Sequence, residues 1–408
     1  MKVKNITFIH AADLHLGGMF SGFRHLPDTL YEKLRTSSYE ALRNLIQTAI
    51  TEKVDFVILA GDIYDGNDRS LKAQIQFQKA MEQLNKEGIP VYLIHGNHDF
   101  LEGNYFNLSL PPNVHIFGRE VEVKEHVKED GTSSMLYGFS YGQRHIKERM
   151  IEGYIKQPSG DFHIGLLHGN LDGETAHGNY APFTKMELVQ KGFDYWALGH
   201  IHKRMLVLNE PYAVYPGCLQ GRNRKETGEK GFYLVHLSET ETKLDFRPAS
   251  VLNWQEETVE ASGLEMNRLI QHINERKEHY RQAGKDILLE LILDASKAKE
   301  EDWLYSDMDE LLEAVQEGEE EETPRVWIHT MKLIPPAWMD EGTDETQSFL
   351  AELLDVSADL GKEQFEELIA PLLTHSAARK YVKGWDYASQ KEIILEANME
   401  LVKRLNSR

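Results

Sequence analysis

The chain has 408 residues, 41% of them hydrophobic, with a net charge of -21 and one cysteine. That length holds two domains or one large domain with additions. A single cysteine excludes a disulfide framework within the chain, and no apolar run reaches the roughly 18 residues of a membrane span. The acidity argues against a broad basic coat for nucleic acid, yet it is uneven: residues 251–408 carry 17 Lys and Arg against 35 Asp and Glu, while residues 1–250 carry 28 against 31. With no signal-peptide pattern ahead of the first strand, a cytoplasmic location away from membranes is expected.

In chain order, residues 5–10 (NITFIH) read as a buried strand running into Asp13 and His15. Residues 30–49 follow as a helix, with Leu34, Leu42, Leu45, Ile46 and Ala49 on one stripe. Residues 54–60 (VDFVILA) form a strand ending at Gly61 and Asp62, and residues 71–87 a second helix. Residues 90–94 (PVYLI) lead to Asn97, His98 and Asp99, and shorter strands are expected at 114–116, 121–123 and 135–139. Residues 162–167 (FHIGLL) lead to His168, residues 193–198 (FDYWAL) lead to His200 and His202, and residues 232–237 supply a further strand. Short β-branched and aromatic runs closed by Gly, Asn or Asp read as buried strands.

Near residue 250 the pattern changes. Strands are expected at 256–261, 286–295 and 325–334, with helices at 263–282 and 306–315, and the acidic run 317–322 (EGEEEE) reads as a solvated loop. Three amphipathic helices follow, at 346–356, 362–373 and 388–405; the second carries Phe365, Leu368, Ile369 and Leu372 on one face.

Seven side chains with metal-ligand chemistry thus stand at strand ends: Asp13, His15, Asp62, Asn97, His168, His200 and His202. Strands that end at one sheet edge can bring them together. Each motif alone also suits an ordinary turn, or a buried, hydrogen-bonded histidine. Together and in this order they favour a metal centre. Carboxylates, imidazoles and one amide, without thiolate, suit Mn²⁺, Fe²⁺ or Zn²⁺ better than a cysteine-built structural zinc site. Seven ligands exceed one tetrahedral ion, so two divalent ions are expected, most simply Mn²⁺, with an aspartate between them. Such pairs clamp a phosphoryl centre and activate water, and a phosphoester is the expected substrate. Cys218 reads as a small buried residue. Arg222, Arg224, Lys225 and Lys230 lie in a Gly-rich stretch, and Lys203 and Arg204 follow His202. A solvated loop or contacts to a phosphate backbone both fit them.

Asp13-x-His15, Gly61-Asp62, Gly96-Asn97-His98-Asp99, His168-Gly169 and Gly199-His200-x-His202 resemble the signatures of the calcineurin-like metallophosphoesterases. The opening Ala12-Asp13-Leu14-His15-Leu16-Gly17 is similar to the SbcD-type DNA-repair exonuclease branch. The segment 215–222 (YPGCLQGR) and the acidic C-terminal region are similar to its bacterial YhaO subgroup. The resemblance implies an α/β fold: a metallophosphoesterase β-sandwich flanked by helices over 1–250, a smaller α/β capping domain over 251–335, and a C-terminal helical segment over 336–408 that binds a partner. It implies that Asp13, His15 and His202 hold one ion, that Asn97, His168 and His200 hold the other, and that Asp62 bridges them. His98 would assist the leaving oxygen, oriented by Asp99, and a metal-bridging hydroxide would be the nucleophile. Arg222, Arg224 and Lys225 would bind substrate. DNA, an SMC-like coiled-coil ATPase and a homodimeric partner copy are the partners the resemblance implies. Relatives carry a histidine three residues after the bridging aspartate; here Asp65 stands there, and a carboxylate would repel phosphate unless a cation pairs with it. A phosphodiesterase for nucleotides or other small phosphoesters, and a non-enzymatic scaffold that keeps the metal site, are the alternatives. His98, which is no ligand, argues against the scaffold.

Overall fold

The computed structural model describes residues 3–18, 26–66, 69–102, 108–173, 180–299, 304, 308–336, 356, 361–374, 393–394 and 397. Its elements in chain order are β1 (Asn5–Ala11), α1 (Asp28–Glu52), β2 (Phe56–Ala60), α2 (Leu71–Lys86), β3 (Val91–Ile94), β4 (Val114–Ile116), β5 (Glu122–Val127), β6 (Ser133–Gly138), β7 (Phe162–His168), α3 (Lys185–Gln190), β8 (Tyr195–Gly199), β9 (Met205–Asn209), β10 (Tyr212–Tyr215), β11 (Gly231–Ser238) and β12 (Thr242–Pro248). They continue as β13 (Leu252–Glu260), α4 (Met266–Arg281), β14 (Asp286–Asp294), α5 (Met308–Gln316), β15 (Val326–Ile334) and α6 (Lys362–Thr374). The chain divides into two units: Met1–Glu256 with Glu278–Glu290 and Gly318–His329, and Glu257–Lys277 with Leu291–Glu317 and Thr330–Arg408. The division therefore passes through β13, β14 and β15, which form one sheet in that order.

In the first unit, one sheet runs β12-β11-β1-β2-β3-β4 and a second runs β5-β6-β7-β8-β10-β9. Side chains alternate across each strand. Phe8, Phe56, Ile58 and Ile94 from the first sheet pack with Leu136, Ile164, Leu166 and Tyr195 from the second, so the two sheets face each other. Phe8 stacks on Phe56 with centroids 5.1 Å apart; cutting such a buried ring back to alanine costs about 3–5 kcal/mol. The opposite face of the first sheet, with Val57, Leu59 and Leu93, meets Leu42, Leu45 and Ile46 of α1 and Phe77, Met81 and Leu84 of α2. The outer face of the second sheet sets Trp196 and Leu198 against Leu188 of α3. The result is the expected α/β sandwich flanked by helices. A smaller cluster joins Leu30 and Leu34 of α1 to Leu252, Trp254, Leu288 and Trp327.

Several elements lie outside the sequence expectations. β9, β10, β12 and α3 are not foreseen, because α3 spans six residues and β12 (TKLDFRP) carries too many polar residues for a buried-strand pattern. The strand expected at 121–123 is the longer edge strand Glu122–Val127. The acidic run 317–322 is exposed as expected except at one residue. Glu319 is 2% exposed, pairs with Arg281 at 3.0 Å and accepts the Val326 N–H, so a counter-charge and a strand end bury this one carboxylate. In the C-terminal segment, α6 carries the middle expected helix, with Phe365 buried and Leu368 exposed. The helices expected at 346–356 and 388–405 lie almost wholly outside the described residues.

Candidate metal centre

β1, β2 and β3 are parallel, as are β7 and β8, so each group delivers its following residues at one sheet edge. A hydrogen bond from His168 Nδ1 to the Ala60 carbonyl, 2.9 Å long, ties the two edges together. The ligand atoms of Asp13, His15 and His202 lie within 4.8 Å of one another, and so do those of Asp62, His168 and His200. Asn97 Oδ1 joins the second group, 3.1 Å from His168 Nε2 and 3.2 Å from His200 Nδ1. Asp62 Oδ2 stands 3.7 Å from His15 Nε2 and 3.4 Å from His168 Nε2, so it faces both groups.

The backbone bends hard to achieve this. Asp13, His15, Asp62 and His200 have φ of 52°, 43°, 51° and 102°, a region that side-chain-bearing residues adopt at a cost of order 1 kcal/mol or more each. Gly96 is required for a different reason: a Cβ there would sit 2.3 Å from Asp62 Oδ1 and 2.7 Å from His168 Nε2.

The hydrogen bonding tests whether cations fit. A carbonyl only accepts, so His168 Nδ1 carries the proton shared with Ala60 and its Nε2 presents a lone pair in the neutral ring. That lone pair faces the Asn97 amide oxygen and the Asp62 carboxylate, which are acceptors too. His202 Nδ1 lies 2.7 Å from Glu226 Oε1, which turns its Nε2 lone pair toward His15 Nε2 at 3.0 Å. In the second group acceptor faces acceptor while His168 is neutral, and in the first a single proton between His15 Nε2 and His202 Nε2 satisfies the pair; a divalent ion can take the place of the proton in either group. The residues fit divalent ions on this ground.

The charges respond accordingly. Burial pushes the Asp13 carboxyl up to about 6, and burial followed by the nearby Arg222 lowers His15 to about 4. Burial opposes charge on His168, yet Asp62 and Asp13 hold its pKa up at about 9. Asp62 stays well below the usual carboxylate range because His168, His15 and His98 outweigh its burial. A proton on His168 supplies in part the positive charge that this cluster of acceptors requires.

His98 stands beside this array. Its main-chain N–H donates to Asp62 Oδ1 at 2.9 Å, and its ring meets that of His15 edge to face at 4.9 Å. Its Nδ1 lies 3.4 Å from Asp65 Oδ1, and this contact raises its proton affinity. The expected partner Asp99 is engaged elsewhere: it accepts from the Gly96 and Ile63 N–H groups at 2.7 and 2.9 Å and from His95 Nδ1 at 3.0 Å. Asp99 therefore braces the turn, and the carboxylate at the His98 ring is Asp65. The expected repulsion at Asp65 is offset, because Arg222 Nη1 pairs with it at 3.0 Å.

Residues 6–204 match the calcineurin-like phosphoesterases. Over 98% of its length the chain is 37% identical to an uncharacterized metallophosphoesterase, YhaO of Bacillus subtilis (strain 168), covering 98% of that protein. The chain belongs to the calcineurin-like phosphoesterase family. It is also similar to proteins named DNA double-strand break repair protein Mre11. The one from Thermoplasma acidophilum is 28% identical over 58% of this chain and 63% of its own length. The one from Methanocaldococcus jannaschii is 26% identical over 57% of this chain and 63% of its own length. Phosphoesterases of this family are metal-dependent hydrolases with a dinuclear site, and the two ligand groups described above are this chain's candidates for it.

The basic residues of this phosphoesterase are placed less simply than the ligands. Arg222, expected at the substrate, has its guanidinium on Asp65 at 3.0 Å and 3.8 Å from Glu226. Arg224 pairs with Glu290 at 3.7 Å, Arg204 lies over the Phe246 ring at 3.9 Å, and Lys230 is buried. Lys203 and Lys225 are exposed. Cys218 is fully buried, and burial first, with Glu226 beside it, lifts its thiol pKa well above the ordinary value. Glu226 and His95 escape the sequence reading: neither stands at a motif position that marks it as the brace of a ligand or of the Asn-His-Asp turn. Among the described residues no helix is long and apolar enough to cross a membrane.

Proposed function

We propose that this chain is a DNA phosphodiesterase, a nuclease that uses two divalent cations, manganese foremost, and acts in DNA repair in the cytoplasm. The observation that carries the reading is the convergence of buried Asp13, His15, Asp62, Asn97 and His168 with half-buried His200 and His202, with the non-ligand His98 at the rim. Ions held by these residues would polarise a phosphoryl group and lower the pKa of a water. His98, held by Asp62 at its main chain and by Asp65 at its ring, stands ready to protonate the departing sugar oxygen. DNA as substrate is supported by the names of the Mre11 relatives. A coiled-coil SMC-like ATPase on the C-terminal helical segment, and a second copy of the chain, are part of the same reading; the exposed Leu368 on α6 supports an outward apolar contact.

Mn²⁺-dependent cleavage of end-labelled duplex and single-stranded DNA tests the reading, with bis-p-nitrophenyl phosphate as comparison. Efficient DNA cleavage that vanishes in His98→Ala is the expected result. The placement of Arg222 and Arg224 on carboxylates favours a second reading, a phosphodiesterase for small phosphoesters. Turnover of bis-p-nitrophenyl phosphate with DNA left intact would select it.

A further inference from the structure

Two of the histidines that face the first metal position are held from outside by carboxylates. His202 Nδ1 lies 2.7 Å from Glu226 Oε1, and His15 Nδ1 lies 3.4 Å from Asp65 Oδ1, longer than an ordinary hydrogen bond. The two carboxylates come from distant segments, and one residue joins them. Arg222 Nη1 pairs with Asp65 Oδ1 at 3.0 Å, its Nη2 lies 3.8 Å from Glu226 Oε1, and its main-chain N–H donates to Glu226 Oε2 at 2.7 Å. Asp65 is confined on its other side too, since a Cβ on Gly18 would come within 2.9 Å of Asp65 Oδ2. The other group is held differently: His168 rests on the Ala60 carbonyl.

From this arrangement we infer that Arg222 is a positioning residue of the first metal site and not a contact to substrate. It acts through Asp65 and Glu226. Its charge lets two carboxylates stand near each other; Glu226 fixes the His202 imidazole so that Nε2 points inward, and Asp65 places its negative charge against His15 Nδ1. Outer-shell partners of this kind set the tautomer and orientation of histidine ligands. The side chain is only 21% exposed, its Nε is buried, and its charge is already opposed by two carboxylates, which makes it a poor contact for a phosphate.

The inference rests on the two-metal reading, and Mn²⁺ titration by calorimetry separates the two. Wild-type protein is expected to bind two equivalents. In Arg222→Met one of the two should weaken by about ten- to a hundredfold while the other holds, the range found when outer-shell partners are lost. Glu226→Gln should weaken the same equivalent, and Arg222→Met/Glu226→Gln should be no worse than the poorer single variant. At saturating Mn²⁺ the KM of Arg222→Met for an oligonucleotide, and its dependence on salt, should match wild type, because removing a phosphate contact would lower the salt slope by about one. Two equivalents bound as tightly as in wild type, or an altered KM and salt slope, would overturn the positioning role. Wild-type protein that binds no divalent ion would instead remove the reading beneath it. Arg222→Lys, which keeps the charge without the fork, should fall between wild type and Arg222→Met, so that a misfolded methionine variant still leaves the titration decisive.

Discussion

His15 Nε2 and His202 Nε2 face each other at 3.0 Å, while the far nitrogen of His202 is committed to Glu226. Two lone pairs at that distance repel unless a proton or a cation lies between them. Divalent ions should therefore stabilise the fold by binding the native state only. At a hundredfold excess over Kd one site contributes about 2.7 kcal/mol, which raises Tm by several degrees. Mn²⁺ added to EDTA-treated protein should give this shift in a thermal scan, and Asp62→Asn should abolish most of it. A wild-type Tm unmoved by Mn²⁺, Fe²⁺ and Zn²⁺ alike would contradict the metal centre.

Gly96 gives a steric prediction. The Cβ of Gly96→Ala would enter the space of Asp62 Oδ1 and His168 Nε2, at 2.3 and 2.7 Å. The turn must shift, carrying Asn97 and His98 with it. Mn²⁺ affinity should fall at least on the order of the ten- to hundredfold seen for disturbed outer-shell contacts. Circular dichroism should stay native. Unchanged affinity in the alanine variant would mean that the turn yields without cost.

His200 tests the backbone strain. Its φ of 102° suits glycine far better than any residue with a Cβ. Without metal, His200→Gly should be more stable than His200→Ala by about 1 kcal/mol, although glycine ordinarily destabilises through its greater freedom in the unfolded chain. Urea denaturation of both variants in EDTA measures the difference, and an alanine variant of equal or greater stability would refute the strain.

What the sequence revealed follows from the kind of interaction involved. Strand ends with Asp, His and Asn are local patterns, so all seven ligand candidates could be named, and short β-branched and aromatic runs closed by polar or Gly residues marked β1, β2, β3, β7 and β8 as buried. The partner of the His98 ring could not be settled that way. Asp99 lies next to it in sequence, but the turn aims Asp99 at backbone N–H groups, and Asp65 arrives from the loop after β2. Glu226 was hidden for the same reason: its value comes from a 2.7 Å approach to His202 across 24 positions of chain. Arg222 and Arg224 looked like free cations because the carboxylates that bind them, Asp65 and Glu290, are distant in sequence. Long-range charge pairing leaves little trace in local pattern.

His10 gives the fold a pH dependence that does not involve the metal ligands. His10 is fully buried in β1, where its Nε2–H donates to the Leu198 carbonyl at 3.1 Å and its Nδ1 accepts from the Tyr195 hydroxyl at 2.9 Å. The neutral ring has one donor and one acceptor, and both are used. Burial lowers its pKa to about 3 in the folded chain, against about 6.5 when unfolded. Between those values the unfolded state binds a proton that the folded state refuses, so stability is complete above pH 6.5 and falls as pH drops toward 3. The slope is about 1.4 kcal/mol per pH unit, or roughly 2–3 kcal/mol between pH 6.5 and 4.5. Urea unfolding in EDTA across this range should show a shallower pH dependence for His10→Gln than for wild type by about that slope, even though the variant starts from lower stability. Parallel curves for the two proteins would show that His10 takes up its proton in the folded state.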